Sequence, residues 1–231
     1  MKKKLVISTG AGMSAESGIS TFRDSGGLWE QYNVMDVASA DGFRCNPKLI
    51  HDFYNARRRE LVNAKPNAGH LGLVKLEEYY DVYIITQNVD NLHERAGSKN
   101  VLHLHGELMK VRAMDNDSLV YELKPGALET TPETLIDGHH VRPHIVFFQE
   151  AVPNIEPAIE LAQQADVFVV IGTSLNVYPA ASLLHYVRRG VPVYYIDPHP
   201  AAVPANVHVI AEPATRGVED LTKILLADSR K

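Results

Sequence analysis

Five short stretches of the chain, residues 5–7, 82–85, 167–171, 191–196 and 207–210, are almost wholly apolar and rich in β-branched or aromatic side chains. Their apolarity is continuous rather than alternating, which predicts strands covered on both faces, as in a parallel sheet. Between them lie amphipathic stretches at 69–79, 155–165, 179–189 and 218–227. Strands alternating with helices of this length predict an α/β fold, a Rossmann-like doubly wound parallel sheet.

Two segments interrupt that rhythm. Residues 21–66 open on a polar, Gly-containing loop (Asp24-Ser25-Gly26-Gly27) and close with a helix announced by Asn46-Pro47, a cap followed by a first-turn proline. Residues 109–141 are polar and turn-rich, without strand–helix alternation. Both read as insertions that form a smaller lobe. The expected organisation is a single domain over 1–231, with a sheet lobe of 1–20, 67–108 and 142–231 and an inserted lobe of 21–66 and 109–141.

Composition narrows the function. The 231 residues are 45% hydrophobic and 22% charged, ordinary globular values that exclude a disordered or fibrous chain. The formal net charge of −5 offers no basic field to hold nucleic acid or an anionic membrane. One cysteine, Cys45, rules out an intramolecular disulfide and any zinc site that needs two thiolates. The opening MKKKLVISTG has too short an apolar run for a signal segment or a membrane span and reads as a first buried strand. The expectation is a soluble, cytoplasmic monomer.

Three local patterns carry chemistry. After the first strand, Gly10-Ala11-Gly12-Met13-Ser14-Ala15 satisfies G-x-G-x-x-G/A, a turn that lets a pyrophosphate approach the backbone at a helix N-terminus. Such a turn also occurs without a ligand, and the acidic residue of an ordinary dehydrogenase fingerprint is missing here. The strand from Val82 ends in Thr86-Gln87-Asn88-Val89-Asp90, polar side chains crowded where parallel sheets bind ligands. Asn88 and Asp90 could equally cap the next helix. In Val101-Leu102-His103-Leu104-His105-Gly106, strand geometry sets the leucines on one face and the two histidines on the other.

Together these blocks resemble the signature of the sirtuins, NAD-dependent protein lysine deacylases. The resemblance rests on Gly10-Ala11-Gly12-x-Ser14-x-x-Ser17-Gly18-Ile19-x-x-Phe22-Arg23, Thr86-Gln87-Asn88-Val89-Asp90 and His105-Gly106. It continues through Arg142-Pro143-x-Ile145-Val146-x-Phe148-x-Glu150 and Gly172-Thr173-Ser174-Leu175-x-Val177-x-Pro179. It covers nearly the whole chain in order.

The resemblance implies a reaction in which the acyl oxygen attacks C1′ of the nicotinamide ribose and expels nicotinamide. A histidine then deprotonates a ribose hydroxyl, and the products are free lysine and an acyl-ADP-ribose ester. By motif, His105 is that base; a near-neutral imidazole suits the task. Asn88 would position ribose or water, Asp90 would hold the nicotinamide carboxamide, and Gln87 would bind ribose hydroxyls. Phe22 would shield the reactive carbon from water, and Arg23 would lie in the loop over the pyrophosphate. Gly10, Ala11, Gly12, Gly172, Thr173, Ser174 and Asp197 would complete the NAD site; Asp197 would repel a 2′-phosphate, which predicts NAD over NADP.

Substrate selectivity is implied by Tyr54-x-x-Arg57, three apart on one helical face. Sirtuins with this pair remove acidic acyl groups such as succinyl and malonyl, since a guanidinium forks onto a carboxylate and a phenol adds one hydrogen bond. The plainer reading is a solvated basic stripe, Arg57-Arg58-Arg59. Phe148 is the implied contact for the substrate backbone.

Departures from the family pattern are specific. Most sirtuins hold a structural zinc on four cysteines, whereas Ala113 stands where one is expected and none follows through Val141. His139-His140 with Asp115 or Asp117 could in principle offer ligands, but neighbouring histidines rarely chelate one ion, so no zinc is expected. Gln149 replaces a usual glycine, and Asp197 a usual asparagine. The expected partners are acyl-lysine proteins or peptides. Rival readings are ADP-ribosyl transfer or NAD hydrolysis in the same pocket, and a non-catalytic NAD-binding module.

Overall fold

The computed structural model describes residues 2–21 and 31–228. Its main sheet holds six parallel strands: β1 (Lys4–Thr9), β2 (Asp81–Thr86), β3 (Val101–His103), β8 (Val167–Ile171), β9 (Val193–Ile196) and β10 (Val207–Ile210). Their spatial order is β10-β9-β8-β1-β2-β3, so the chain winds outward from β1 and returns to build the other half from β8. Thr9 lies level with Thr86 on one side and Ile171 on the other. The loops after β1, β2 and β8 therefore leave the sheet together, at the reversal of strand order where open α/β sheets bind ligands.

Each strand alternates between two cores, which explains the continuous apolar runs. Leu5, Ile7, Val169 and Ile171 face α5 (Ala68–Leu76) and α8 (Ala214–Asp228) through Leu73, Leu76, Val218 and Leu221. Val6, Phe168 and Val170 face α7 (Ile155–Gln164) and a 3-10 helix over Ala180–Tyr186 through Ala158, Ala162 and Leu183. Each fully buried Leu, Ile or Phe contributes roughly 1.5–3 kcal/mol against leaving it in water. No helix among the described residues is long and apolar enough to cross a membrane.

Beside the sheet stand α2 (Val34–Val37), α3 (Ala40–Cys45), which ends on the exposed Cys45, and α4 (Pro47–Asn63). The Asn46 side chain accepts from Leu49 N–H at 3.1 Å while Pro47 opens the helix, as the sequence predicts. The segment without strand–helix alternation is instead an antiparallel sheet in the order β5-β4-β7-β6. Its strands are β4 (Gly106–Ala113), β5 (Val120–Glu122), β6 (Leu135–Ile136) and β7 (His139–Ile145), so the sheet starts before residue 109 and ends after 141. A register shift between Gly106 and Val111 breaks the period-two pattern that would have revealed β4.

The basic triplet is no solvated stripe. Arg57 is 8% exposed and Arg58 fully buried; only Arg59 faces water, paired with Glu129. Arg58 donates to Leu108 O and Asn55 Oδ1, both at 2.8 Å, and to Thr130 Oγ1 at 3.2 Å. It thereby ties α4 to β4 and to the loop before β6. His139 Nδ1 sits 2.9 Å from Asp115, and no three potential metal ligands come together among the described residues.

Candidate active site

A cavity of about 610 Å³ opens where the β1, β2 and β8 loops meet the small lobe. Gly10, Ala11, Gly12, Gln87, Asn88, His105, Gly172, Thr173, Ser174 and Asp197 line it, together with Tyr54, Arg57 and Phe148. Phe22 and Arg23 lie outside the described residues. The structure thus gathers into one cleft residues that the sequence spreads from 10 to 197.

One wall is made of main chain. A Cβ on Gly12 would come 2.7 Å from Gly172 Cα, and Gly172 itself has φ of +63°. The two turns touch backbone to backbone, with Gly12 N–H donating to Gly172 O at 2.9 Å. The helix α1 (Gly12–Ala15) is a single turn, and the amides of Met13 and Ser14 are already bonded to Gly10 O and Ala11 O. The glycines therefore serve loop-to-loop contact first, and the short helix offers less of the anion-binding terminus that the motif suggests. Gln87 Nε2 lies 3.4 Å from Thr173 Oγ1, linking the β2 and β8 loops.

Beyond β3 the chain bends, so His103 and His105 part company. His105 Nδ1 is 3.1 Å from Gln87 O. A carbonyl can only accept, so the proton sits on Nδ1 and Nε2 keeps its lone pair. Burial depresses the imidazole pKa below its usual 6.5, opposed by the bond to Gln87. A neutral ring with a free basic nitrogen, in a cleft, is the state a general base needs.

His103 turns behind the site. Its Nδ1 donates to Asn88 O at 3.0 Å and its Nε2 lies 2.8 Å from Glu94 Oε1. Burial works against the charged ring, yet the bond to Glu94, the Glu94 charge and the bond to Asn88 together outweigh it and the pKa rises. Asn88 is fixed from two further directions. Its N–H donates to Thr86 Oγ1 at 3.0 Å, which also accepts from Thr9 Oγ1 at 2.9 Å, and its Nδ2 donates to Ser14 Oγ at 3.2 Å.

Asp90 is the predicted site residue that does not line the cavity. Its Oδ2 accepts from Ser14 Oγ at 2.9 Å, and its Oδ1 accepts from Leu92 N–H at 3.1 Å, at the start of α6 (Leu92–Ala96). Burial raises its pKa, opposed by those two bonds. Ser14 joins Asp90 to Asn88 and was given no role from sequence; its place inside the Gly10-Ala11-Gly12-x-Ser14 block was the available signal.

The opposite wall is made of side chains. Tyr54 stacks on Phe147 with centroids 6.0 Å apart and meets Phe53 edge-on at 5.1 Å. Arg142 lies over the Phe147 ring at 3.9 Å and is held by Glu150 at 2.6 Å. Burial raises the Tyr54 pKa, opposed by the nearby arginines, so the phenol stays protonated and can donate. Arg57 Nη1 pairs with Glu60 Oε2 at 3.1 Å. Phe148 N–H donates to Ala38 O at 2.8 Å, and its ring is 43% exposed at the cavity. Gln149 adopts φ of +75°, a conformation that favours the glycine usual at this position. Its side chain bonds Asp41 twice, accepting from the N–H at 3.1 Å and donating to Oδ2 at 2.7 Å, which offsets the strain.

Comparison with known proteins agrees with this arrangement. Residues 10–179 match the Sir2 family. A protein of Bacteroides thetaiotaomicron named NAD-dependent protein deacylase is 54% identical over 230 residues, covering 97% of this chain and 98% of its own. One of the same name from Helicobacter pylori is 50% identical over 230 residues, with the same coverage. Among solved structures, a mutant Sir2 homologue in complex with ADP-ribose superposes with a TM-score of 0.90 at 37% identity, covering 100% of this chain and 95% of its own. A Sir2 homologue in complex with NAD gives 0.86 at 36% identity, covering 98% and 91%. With a matched segment that takes in the β1 turn, the Gln87–Asp90 loop, His105 and the β8 turn, this chain belongs to the Sir2 family.

Proposed function

We propose that this chain removes acyl groups from protein lysines at the expense of NAD and prefers acidic acyl groups such as succinyl and malonyl. The coarser statement, an NAD-dependent protein deacylase, follows from family membership and from relatives of that name at half identity over nearly their full lengths. The acyl preference is the finer reading. It is supported by one observation: Tyr54 and Arg57 line the same cavity as His105 and the two glycine turns.

The residues present fit a dinucleotide. The cavity is long enough in its lining to run from Asp197 and Ser174 past Gly10 and Gly12 to Asn88 and His105. NAD, when bound, supplies a labile bond between nicotinamide and ribose. His105 accepts a proton at Nε2, because Nδ1–H is committed to Gln87 O. Asn88, held by His103, Thr86 and Ser14, keeps its amide at one place in the cavity that His105 also lines. Asp90 is joined to Asn88 through Ser14, and each of its oxygens keeps a lone pair with which to accept from a carboxamide. The aromatic wall of Phe53, Tyr54 and Phe147 excludes water, while Arg57 and the Tyr54 hydroxyl are suited to a terminal carboxylate.

Mass spectrometry of succinyl-, malonyl- and acetyl-lysine peptides of one sequence, incubated with purified protein and NAD, tests the reading. Acidic acyl groups are expected to leave faster, with acyl-ADP-ribose as coproduct. Equal or reversed rates defeat the acyl preference. Nicotinamide release at the same rate without any peptide would point to NAD hydrolysis instead.

A further inference from the structure

Arg57 enters the cleft already engaged. Its Nη1 lies 3.1 Å from Glu60 Oε2, one turn further along α4, and its Nη2 donates to Ser20 O at 3.3 Å. The other Glu60 oxygen, Oε1, accepts from both the N–H and the hydroxyl of Ser20, each at 2.9 Å. Ser20, Glu60 and Arg57 thus close a ring of three hydrogen bonds and one ion pair. Arg57 is buried at 8% exposure, whereas the Glu60 side chain is 29% exposed.

We propose that Glu60 sets the acyl selectivity of this cleft: its carboxylate occupies Arg57 and reduces the advantage of an acidic acyl group over a neutral one. This rests on the reading of Tyr54 and Arg57 as acyl-recognition residues.

A guanidinium has five N–H groups in a plane and can serve two carboxylates at once. Arg57 and Glu60 together are neutral, so an incoming succinyl or malonyl carboxylate leaves a net negative charge against the rings of Phe53, Tyr54 and Phe147. Two carboxylates sharing a site repel, and more strongly where water is scarce. Glu60 cannot simply swing away, because Ser20 holds its other oxygen twice. The buried Asp90 carboxyl adds a second resident acid whose field reaches Arg57. A neutral acetyl group brings no charge to this contact and is indifferent to Glu60. Burial lowers the Arg57 pKa and Glu60 raises it, which places the two groups in one electrostatic unit.

The test is the ratio of kcat/KM for succinyl-lysine to that for acetyl-lysine, measured on the full chain with saturating NAD. Glu60→Gln keeps the size and, through its amide oxygen, the Ser20 bonds, but removes the charge and the acceptor facing Arg57, and should raise the ratio about fivefold, mainly through a lower KM for the succinyl peptide. Glu60→Ala, made in case the amide variant folds poorly, should move the ratio the same way. Glu60→Asp should stay nearer the parent ratio than Glu60→Gln does. In an Arg57→Met background, Glu60→Gln should lose its effect on the ratio. A ratio that is unchanged or lower in both Glu60→Gln and Glu60→Ala overturns the inference. Arg57→Met alone separates the two levels. If it depresses succinyl turnover far more than acetyl turnover, the acyl-recognition reading stands whatever Glu60 does; if it depresses both equally, that reading falls and the role of Glu60 falls with it.

Discussion

The two walls of the cleft are built by opposite means. The wall from the parallel sheet is main chain: Gly10, Gly12 and Gly172 pack so closely that a single added methyl would overlap backbone at under 3 Å. The wall from the small lobe is side chain: Phe53, Tyr54, Phe147 and Arg57 meet through ring faces and an ion pair. A main-chain wall fixes one shape and tolerates almost no substitution. A side-chain wall can be retuned one residue at a time, as Glu60 illustrates, while the fold beneath it stays put. The constant half of the chemistry therefore belongs with the first wall and the variable half, the acyl group, with the second.

The sharpest test of that division is where the walls meet, at His105. His105→Ala should lower kcat/KM about a thousandfold for every acyl peptide alike, while calorimetry still detects NAD. A variant that stayed within tenfold of the parent, or that lost one acyl group only, would break the assignment of His105 to the constant half.

Next in size is the contrast in tolerance. Gly172→Ala places a methyl 2.4 Å from Met13 N at a positive φ, so it should cost more than about 3 kcal/mol and show as a large fall in Tm. Phe148→Ala, on the opposite wall, removes a half-exposed ring and should cost less than about 1 kcal/mol. Comparable melting losses in the two variants would erase the distinction between a rigid and an adjustable wall.

The smallest effect is in pH. Burial lowers the pKa of His51, on the small-lobe helix α4, to about 4 from 6.5, and does the same to His70 on α5 of the sheet lobe. Between those values the unfolded chain binds more protons than the folded one, so stability is full above about 6.5 and declines as pH falls toward 4. His70 Nδ1 accepts from Asn67 N–H, a bond that protonation would break. Replacing either histidine with asparagine should flatten Tm between pH 7 and 5 by a few degrees. A profile that keeps its slope in both variants would locate the acid sensitivity elsewhere. On the catalytic side, the depressed pKa of His105 puts the acid limb of kcat/KM below pH 6.5, with activity rising toward neutrality.

What could be read from the sequence is what local pattern encodes. The apolar runs gave five of the six parallel strands, Asn46-Pro47 gave the start of α4, and His105 before Gly106 gave a candidate base. What escaped depends on packing between distant segments. Nothing near Asp90 announces that Ser14, from another loop, covers its carboxylate. Tyr54-x-x-Arg57 marks Arg57 as a pocket residue, but nothing in the sequence announces that Arg58 beside it is fully buried. The antiparallel sheet escaped because β4 changes register part-way, which hides its alternation. Gln149 looked like a simple loss of glycine; its two bonds to Asp41 show how an ordinary residue is held in a glycine's conformation.

Cys45 closes α3 as the sequence's single thiol, and it is open to solvent. A maleimide dye will therefore attach at one known point of the unmodified protein, on the lobe that carries the adjustable wall. Fluorescence from that point gives a label-based readout of how this lobe responds when an acyl peptide arrives.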